Sequence, residues 1–212
     1  MRRLYGTARL LALLLISATA VPALGAGVIL TTPDRRAIPM LVSTGRSTSE
    51  YGTGVIVGPN TVLTAAHVTP ADKVEVRLLD ATVTGRIVCR DRIEDAAVIT
   101  APLPRGTPYY RISFRIPAVG ETIRVGGYPN RHWKTTQGRI THIIASAILS
   151  GHRVYSPMLV FEPAVYQGAS GSPVLDSSGR VVGIFVASNQ ESNYSIAFPN
   201  KASLRACGKY VR

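Results

Sequence analysis

The sequence predicts an all-β protein, organised as a sandwich or a barrel. Short apolar runs rich in β-branched residues recur along the chain after residue 26, and turn residues separate them at short intervals. KVEVRLL, at residues 73–79, alternates polar and apolar side chains with a period of two, which is typical of a half-buried strand. Helical character is limited to one brief segment, residues 201–210. Together these features favour an all-β fold.

The strands can be placed one by one along the chain. TGVIVGPNTVLTA, at residues 53–65, is predicted to form a hairpin because Gly58, Pro59 and Asn60 interrupt two apolar runs. The other strand patterns follow in the order KVEVRLL, TVTGRIVC, AAVIT, ETIRVGGY, GRITHII, MLVFE, RVVGIFVAS and NYSIAF.

A proline-rich segment divides these strands into two groups. Residues 102–117 contain four prolines, and proline cannot donate a hydrogen bond to a sheet ladder, so this segment is predicted to be a linker. The linker then separates residues 27–101 from residues 118–200, and each half holds about six candidate strands. A short helix or tail is expected at residues 201–212.

The first 26 residues are interpreted as a secretory signal peptide. Arg2, Arg3 and Arg9 give it a basic start, and the apolar run at residues 10–21 is shorter than a helix that spans a bilayer. An N-terminal membrane anchor is the alternative that stays open. Once this segment is removed, the protein is expected to be secreted or periplasmic, with no stable membrane span.

The chain is strongly basic. It has 24 Lys and Arg against 12 Asp and Glu, a formal net charge of +12, which becomes +9 when residues 1–26 are removed. A basic exported protein tends to associate with anionic polymers. The arginines are scattered along the sequence, which favours a solvated basic surface over a specific nucleic-acid site.

Two cysteines, Cys89 and Cys207, have two interpretations. They form no C-x-x-C motif and have no histidine pair nearby, so no metal site is expected. An oxidising compartment allows them to form one disulfide. Two free buried thiols are the alternative.

Three residues carry the candidate chemistry. His67 lies in TAAHV, Asp95 in RIEDAAVIT and Ser170 in GASGSP. Taken singly, His67 is equally typical of a core histidine, Asp95 of a residue that caps a strand, and Ser170 of a tight turn. Their order along the chain, His then Asp then Ser, is one of the three orders known for catalytic triads. Because the linker separates Ser170 from the other two, the site is expected between two domains.

Four ordered segments strengthen this interpretation. GTGVIVGPNTVLTAAHV, CRDRIEDAAVI, GETIRVGGYP with TTQGRI, and QGASGSPVLDSSGRVVGI resemble the trypsin-like (chymotrypsin-fold) serine peptidases over residues 51–200. The similarity is to the compact bacterial type, found in the protease module of high-temperature-requirement proteases and in glutamyl endopeptidases. The resemblance implies two six-stranded antiparallel β-barrels with a short C-terminal helix. It also implies a serine endopeptidase that acts on protein or peptide substrates and needs no cofactor or metal.

The resemblance also assigns roles to residues. His67 would act as the base, Asp95 would orient its imidazole, and Ser170 would be the nucleophile. The backbone N–H groups of Gly168 and Ser170 match the positions of the oxyanion hole.

The sequence departs from the family at two positions. Ala169 replaces the acid that ion-pairs with a freed N-terminus in the digestive relatives, so activity is expected without such an N-terminus. Val186 replaces a hydroxyl residue that often supports the catalytic Asp. The departures keep alternatives open: a catalytically silent binding protein on the same fold, or an envelope interaction protein that uses its basic surface.

The specificity pocket has no acid at its expected base. A small or medium apolar side chain is therefore expected before the scissile bond. The matching wall positions are Ala164, Val165, Tyr166, Phe185, Val186 and Ser188.

Overall fold

Two antiparallel β-sheets make up the two halves of the molecule. The structure is a computed structural model, and it describes residues 31–45, 49–149, 152–154 and 156–211. The predicted signal peptide at residues 1–26 lies outside the described residues.

The first half is a sheet of seven strands. They are β1 (Met40–Thr44), β2 (Ser49–Thr53), β3 (Val55–Gly58), β4 (Thr61–Thr64), β5 (Lys73–Arg77), β6 (Thr82–Asp91) and β7 (Ala96–Thr100). Their order is β2-β1-β5-β6-β7-β4-β3, so β2 and β3 form the two edges. Only Gly54 separates β2 from β3 along the chain. If the two are counted as one strand bent at Gly54, the first half has the six strands expected of it.

The second half is a closed barrel of six strands in the order β12-β15-β14-β13-β8-β9. These strands are β8 (Thr122–Gly127), β9 (Lys134–Ile144), β12 (Met158–Glu162), β13 (Pro173–Leu175), β14 (Val181–Asn189) and β15 (Tyr194–Pro199). A separate two-stranded sheet consists of β10 (Ala147–Leu149) and β11 (His152–Val154). Each half has its own core, built from the apolar side chains of alternate strand positions.

Every strand pattern seen in the sequence coincides with a strand of the structure. The strands absent from the prediction are β1, β2, β10, β11 and β13, none of them longer than five residues. For example, β2 has the sequence SEYGT, which carries little β signal, and the structure pairs it with β1 along its whole length. The C-terminal helix is shorter than expected: α1 spans Asn200–Ser203, and a 3-10 turn follows at Gly208–Tyr210. No side chain caps this helix at its N-terminus.

A buried cluster of apolar side chains from both sheets packs the two halves together, and polar contacts and a disulfide add to it. Cys89 of β6 and Cys207 are joined by a disulfide, with their Cα atoms 5.6 Å apart. In the linker region Tyr110 is buried, and its hydroxyl donates to the Thr32 carbonyl at 2.8 Å and accepts from the Asp34 N–H at 2.7 Å. Burial raises the pKa of this phenol, so it stays neutral.

Candidate active site

Strand pairing brings His67 and Asp95 together. The chain leaves β4 at Thr64 and forms a 3-10 turn at Ala66–Val68, which contains His67. Asp95 comes directly before β7, and β7 pairs antiparallel with β4. Because the end of β4 lies beside the start of β7, the two side chains meet at the same edge of the first sheet. The Ala66 N–H donates to the Asp95 carbonyl at 3.1 Å and fixes this approach.

The carboxylate of Asp95 accepts two hydrogen bonds from His67. The backbone N–H of His67 donates to Oδ1 at 2.9 Å, and the imidazole Nδ1 lies 2.6 Å from Oδ2. A carboxylate can only accept, so Nδ1 carries the hydrogen and Nε2 is left as the basic nitrogen of the neutral ring. Burial lowers the pKa of His67, but the hydrogen bond and charge of Asp95 outweigh burial, and the pKa lies above its ordinary value.

The serine turn, residues 167–172, is folded tightly against the first sheet. Gly168 and Gly171 have φ of +92° and +87°, values that residues with a Cβ rarely adopt. A Cβ on Gly171 would overlap the Thr53 carbonyl oxygen and the Thr64 hydroxyl. Glycine is therefore required on both sides of the Ala169–Ser170 pair.

The serine turn and the His67 turn meet at Gly52. A Cβ built on Gly52 would lie 2.7 Å from Val68 Cγ1 and 3.0 Å from the Ser170 carbonyl oxygen. The structure thus brings His67, Asp95 and Ser170 to one place between the two halves. The Ser170 hydroxyl donates to the Val186 carbonyl at 3.5 Å, and the hydrogen bonds of the described residues include none between Ser170 and His67.

Two backbone N–H groups of the serine turn have no acceptor among the described residues. The Gln167 carbonyl accepts from the Asn130 N–H at 2.8 Å, and a trans peptide directs its N–H opposite to its C=O, so the Gly168 N–H points away from Asn130. Within the described residues, neither the Gly168 N–H nor the Ser170 N–H donates a hydrogen bond. Two free donors two residues apart are what a developing oxyanion needs.

The predicted specificity walls differ in their exposure. The side chains of Val165 and Phe185 are buried in the core of the second barrel, where Phe185 packs edge-to-face on Phe161 at 6.3 Å between ring centroids. Only their main chain is therefore left to face a substrate. Val186 is also buried, whereas Ala164 and Ser188 are partly exposed.

Gln190 joins the two walls, and the sequence analysis did not single it out. Its Nε2 donates to the Val165 carbonyl at 3.0 Å and to the Ser188 hydroxyl at 3.2 Å. A cavity of about 380 Å³ lies on the side of the wall segment that faces β8 and β9. Its lining contains Ala164, Val165, Tyr166, Ala169 and Gln190, together with residues of β8 and β9.

The fold is that of the chymotrypsin-like peptidases. The chain belongs to the family described as trypsin-like peptidase domain, whose model matches residues 52–184. This range contains His67, Asp95 and Ser170.

The matched relatives and structures agree with this assignment. Serine protease Rv3671c of Mycobacterium tuberculosis (strain ATCC 25618 / H37Rv) is 30% identical over 143 residues, which are 63% of this chain and 35% of that protein. Serine protease MT3772 of Mycobacterium tuberculosis (strain CDC 1551 / Oshkosh) has the same identity and coverage. The chain therefore spans about a third of the length of the curated relatives it matches.

The solved structures confirm the predicted fold class. The active form of the Rv3671c protease superposes with a TM-score of 0.73 at 23% identity and covers 82% of each chain. The HtrA-type protease AlgW with a tripeptide gives a TM-score of 0.73 at 24% identity, over 84% of this chain and 61% of that one.

Among the described residues, no helix has the length and apolar character needed to cross a bilayer.

Proposed function

We propose that this protein is a serine endopeptidase that uses His67, Asp95 and Ser170 as a catalytic triad. The observation that carries the proposal is the pair of hydrogen bonds from His67 to Asp95, at 2.9 and 2.6 Å, beside a serine turn with two free N–H groups. The first feature prepares a base, and the second prepares a site for negative charge. Membership of the trypsin-like peptidase family supports the same conclusion.

The reaction would proceed through an acyl-enzyme. The Ser170 oxygen attacks the scissile carbonyl carbon while its proton moves to Nε2 of His67, and the carbonyl oxygen becomes an oxyanion that accepts from Gly168 and Ser170 N–H. The C–N bond then breaks, and the amine leaves with the proton from His67. Water, deprotonated by His67, hydrolyses the ester and restores Ser170. For the attack the Ser170 hydroxyl would donate to Nε2 of His67, whereas in the structure it lies 3.5 Å from the Val186 carbonyl oxygen.

The preferred side chain before the scissile bond is proposed to be small or medium-sized and apolar. The wall positions carry no charged residue, and the Gln190 side chain bridges the two walls by donating to the Val165 carbonyl and the Ser188 hydroxyl. A large or charged side chain would meet this bridge. A peptide library is the test, and a preference for Arg, Lys or Glu at this position would contradict the proposal.

We also propose export as the cellular setting. The basic and apolar composition of residues 1–26 supports a signal peptide. A disulfide between Cys89 and Cys207 is consistent with an oxidising compartment. N-terminal sequencing of the protein recovered from culture supernatant or periplasm tests this, and an intact residue 1 would contradict it.

A catalytically silent binding protein is the second candidate, because no hydrogen bond joins the Ser170 hydroxyl to His67 among the described residues. A fluorophosphonate probe, which reacts with activated serines, separates the two candidates. Labelling of the wild type, absent in both Ser170→Ala and His67→Ala, is expected for the endopeptidase. A folded wild type that does not label would favour the binding protein.

A further inference from the structure

Thr53, the last residue of β2, connects the first sheet to the serine turn through its side chain. Thr53 is fully buried. Its hydroxyl accepts from the Tyr128 N–H at 3.0 Å and lies 3.2 Å from the Gly168 carbonyl oxygen. Since an N–H can only donate, the hydroxyl hydrogen is free to go to Gly168.

The main chain of Thr53 contacts the same turn. Its N–H donates to the Ser170 carbonyl at 2.8 Å, and its own carbonyl accepts from the Thr64 hydroxyl at 2.7 Å. Thr53 therefore holds the carbonyl groups on both sides of Ala169.

The peptide groups of the turn are fixed one after another. The carbonyl of Gln167 is held by Asn130, and the carbonyl of Ala169 accepts from the Ser172 N–H at 2.9 Å. Between them, the peptide that joins Gly168 to Ala169 is held by the Thr53 hydroxyl and by the Ala169 N–H, which donates to the Tyr166 carbonyl at 3.2 Å. This middle peptide lies between the two free N–H groups and shares a Cα atom with each of their peptides.

We propose that the Thr53 hydroxyl is a positioning group for the oxyanion hole. It keeps the middle peptide in the orientation from which the Gly168 and Ser170 N–H groups converge on one point. Because a glycine can adopt many backbone conformations, the residue at position 168 does not itself fix the orientation of the middle peptide, and contacts from outside the turn do so. The inference rests on the proposed endopeptidase function and adds a residue of the opposite sheet to its machinery.

The test compares variants that differ in the hydroxyl. Thr53→Val keeps the shape of the side chain and removes the hydroxyl, whereas Thr53→Ser keeps the hydroxyl. The measurement is the rate of fluorophosphonate labelling as a function of probe concentration. For Thr53→Val the limiting rate is expected to fall about 10- to 100-fold, because misaligned donors stabilise the developing oxyanion less. The half-saturating concentration should stay unchanged, and Thr53→Ser should label within about threefold of wild type.

Ser43→Ala is the matched control. The Ser43 hydroxyl is buried in β1 and accepts a backbone N–H, that of Ala71 at 3.2 Å, but it does not hold the serine turn. Its loss should lower the stability without changing the limiting rate. If Thr53→Val does not fold, Thr53→Ala against Thr53→Ser is the replacement pair, since these two also differ only in the hydroxyl.

Each outcome is decisive. If the wild type labels and Thr53→Val has the same limiting rate, the inference is overturned, but the proposed endopeptidase function is not. The same would follow if Thr53→Ser lost as much rate as Thr53→Val. A folded wild type that does not label would overturn the proposed function, and this inference with it.

Discussion

Replacing Gly171 with alanine tests how closely the serine turn packs against the first sheet. Gly171 has φ +87°, and its added Cβ would overlap the Thr53 carbonyl oxygen and lie 3.1 Å from the Ala65 nitrogen. Gly106 in the linker region is a matched control. Its φ is +85°, and nothing lies within 4 Å of a Cβ built there.

The two glycines separate backbone strain from crowding. Alanine in a left-handed conformation costs about 1–2 kcal/mol, which is the whole effect expected for Gly106→Ala. Gly171→Ala adds overpacking of about 1–3 kcal/mol against the backbone, for a total of about 2–5 kcal/mol. A shift of the turn by about 1 Å would also cost on the order of 100-fold in rate.

Urea unfolding and fluorophosphonate labelling provide the measurements. The fluorescence of Trp133, the single tryptophan, reports unfolding, and its ring contacts Tyr128 beside the serine turn, with ring centroids 5.4 Å apart. Gly106→Ala should label like the wild type, and Gly171→Ala should label at least about 100-fold more slowly. Equal losses of stability in the two variants, or normal labelling of Gly171→Ala, would refute the reasoning.

Three further predictions follow from the same structure. Because Asp95 raises the pKa of His67 and the neutral imidazole is the base, labelling should be lost as the pH falls through a midpoint above about 6.5. A midpoint below about 6.5 would contradict the hydrogen-bonded pair. Asp95→Asn should label about 10⁴-fold more slowly than the wild type at neutral pH. The disulfide joins Cys89 and Cys207 across a separation of 118 residues. In the chain-entropy account, replacing both cysteines with alanine should lower the free energy of unfolding, measured by urea titration, by about 5 kcal/mol. A loss under about 1 kcal/mol would count against that account. Burial raises the pKa of Asp176, but the hydrogen bonds that its carboxylate accepts outweigh burial, and the pKa lies below its ordinary value. The wild type should therefore lose stability as the pH falls below about 4, and Asp176→Asn should show a flatter dependence of stability on pH in an acid titration. Parallel stability profiles of the two proteins would contradict this.

The sequence predicted the strands and the chemistry that depend on local pattern. Alternation and turn residues located most strands of both sheets, and TAAHV, RIEDAAVIT and GASGSP supplied the candidates His67, Asp95 and Ser170. The polar strand β2 escaped detection because its pairing with β1 and its position at the sheet edge, rather than its composition, make it a strand.

The parts of the site that depend on contacts between distant segments could not be predicted. The roles of Gln190 and Asn130 arise from hydrogen bonds to Val165 and Gln167, which lie far from them in sequence. The direction of the Ser170 hydroxyl depends on a side-chain rotation, for which a sequence contains no signal. The side chain of Phe185 was expected at the pocket wall, but the alternation of β14 directs it into the barrel core.

The bond between Cys89 and Cys207 determines what happens to the protein when its chain is cut by a protease. It encloses the linker and the whole second barrel in one covalent ring. A cut at any single place within that ring, by a neighbouring molecule or by another protease, opens the ring but leaves both pieces attached. The nicked protein would remain one molecule on a non-reducing gel and separate into two only after reduction. His67 and Ser170, on opposite sides of such a cut in the linker, would stay tethered to each other.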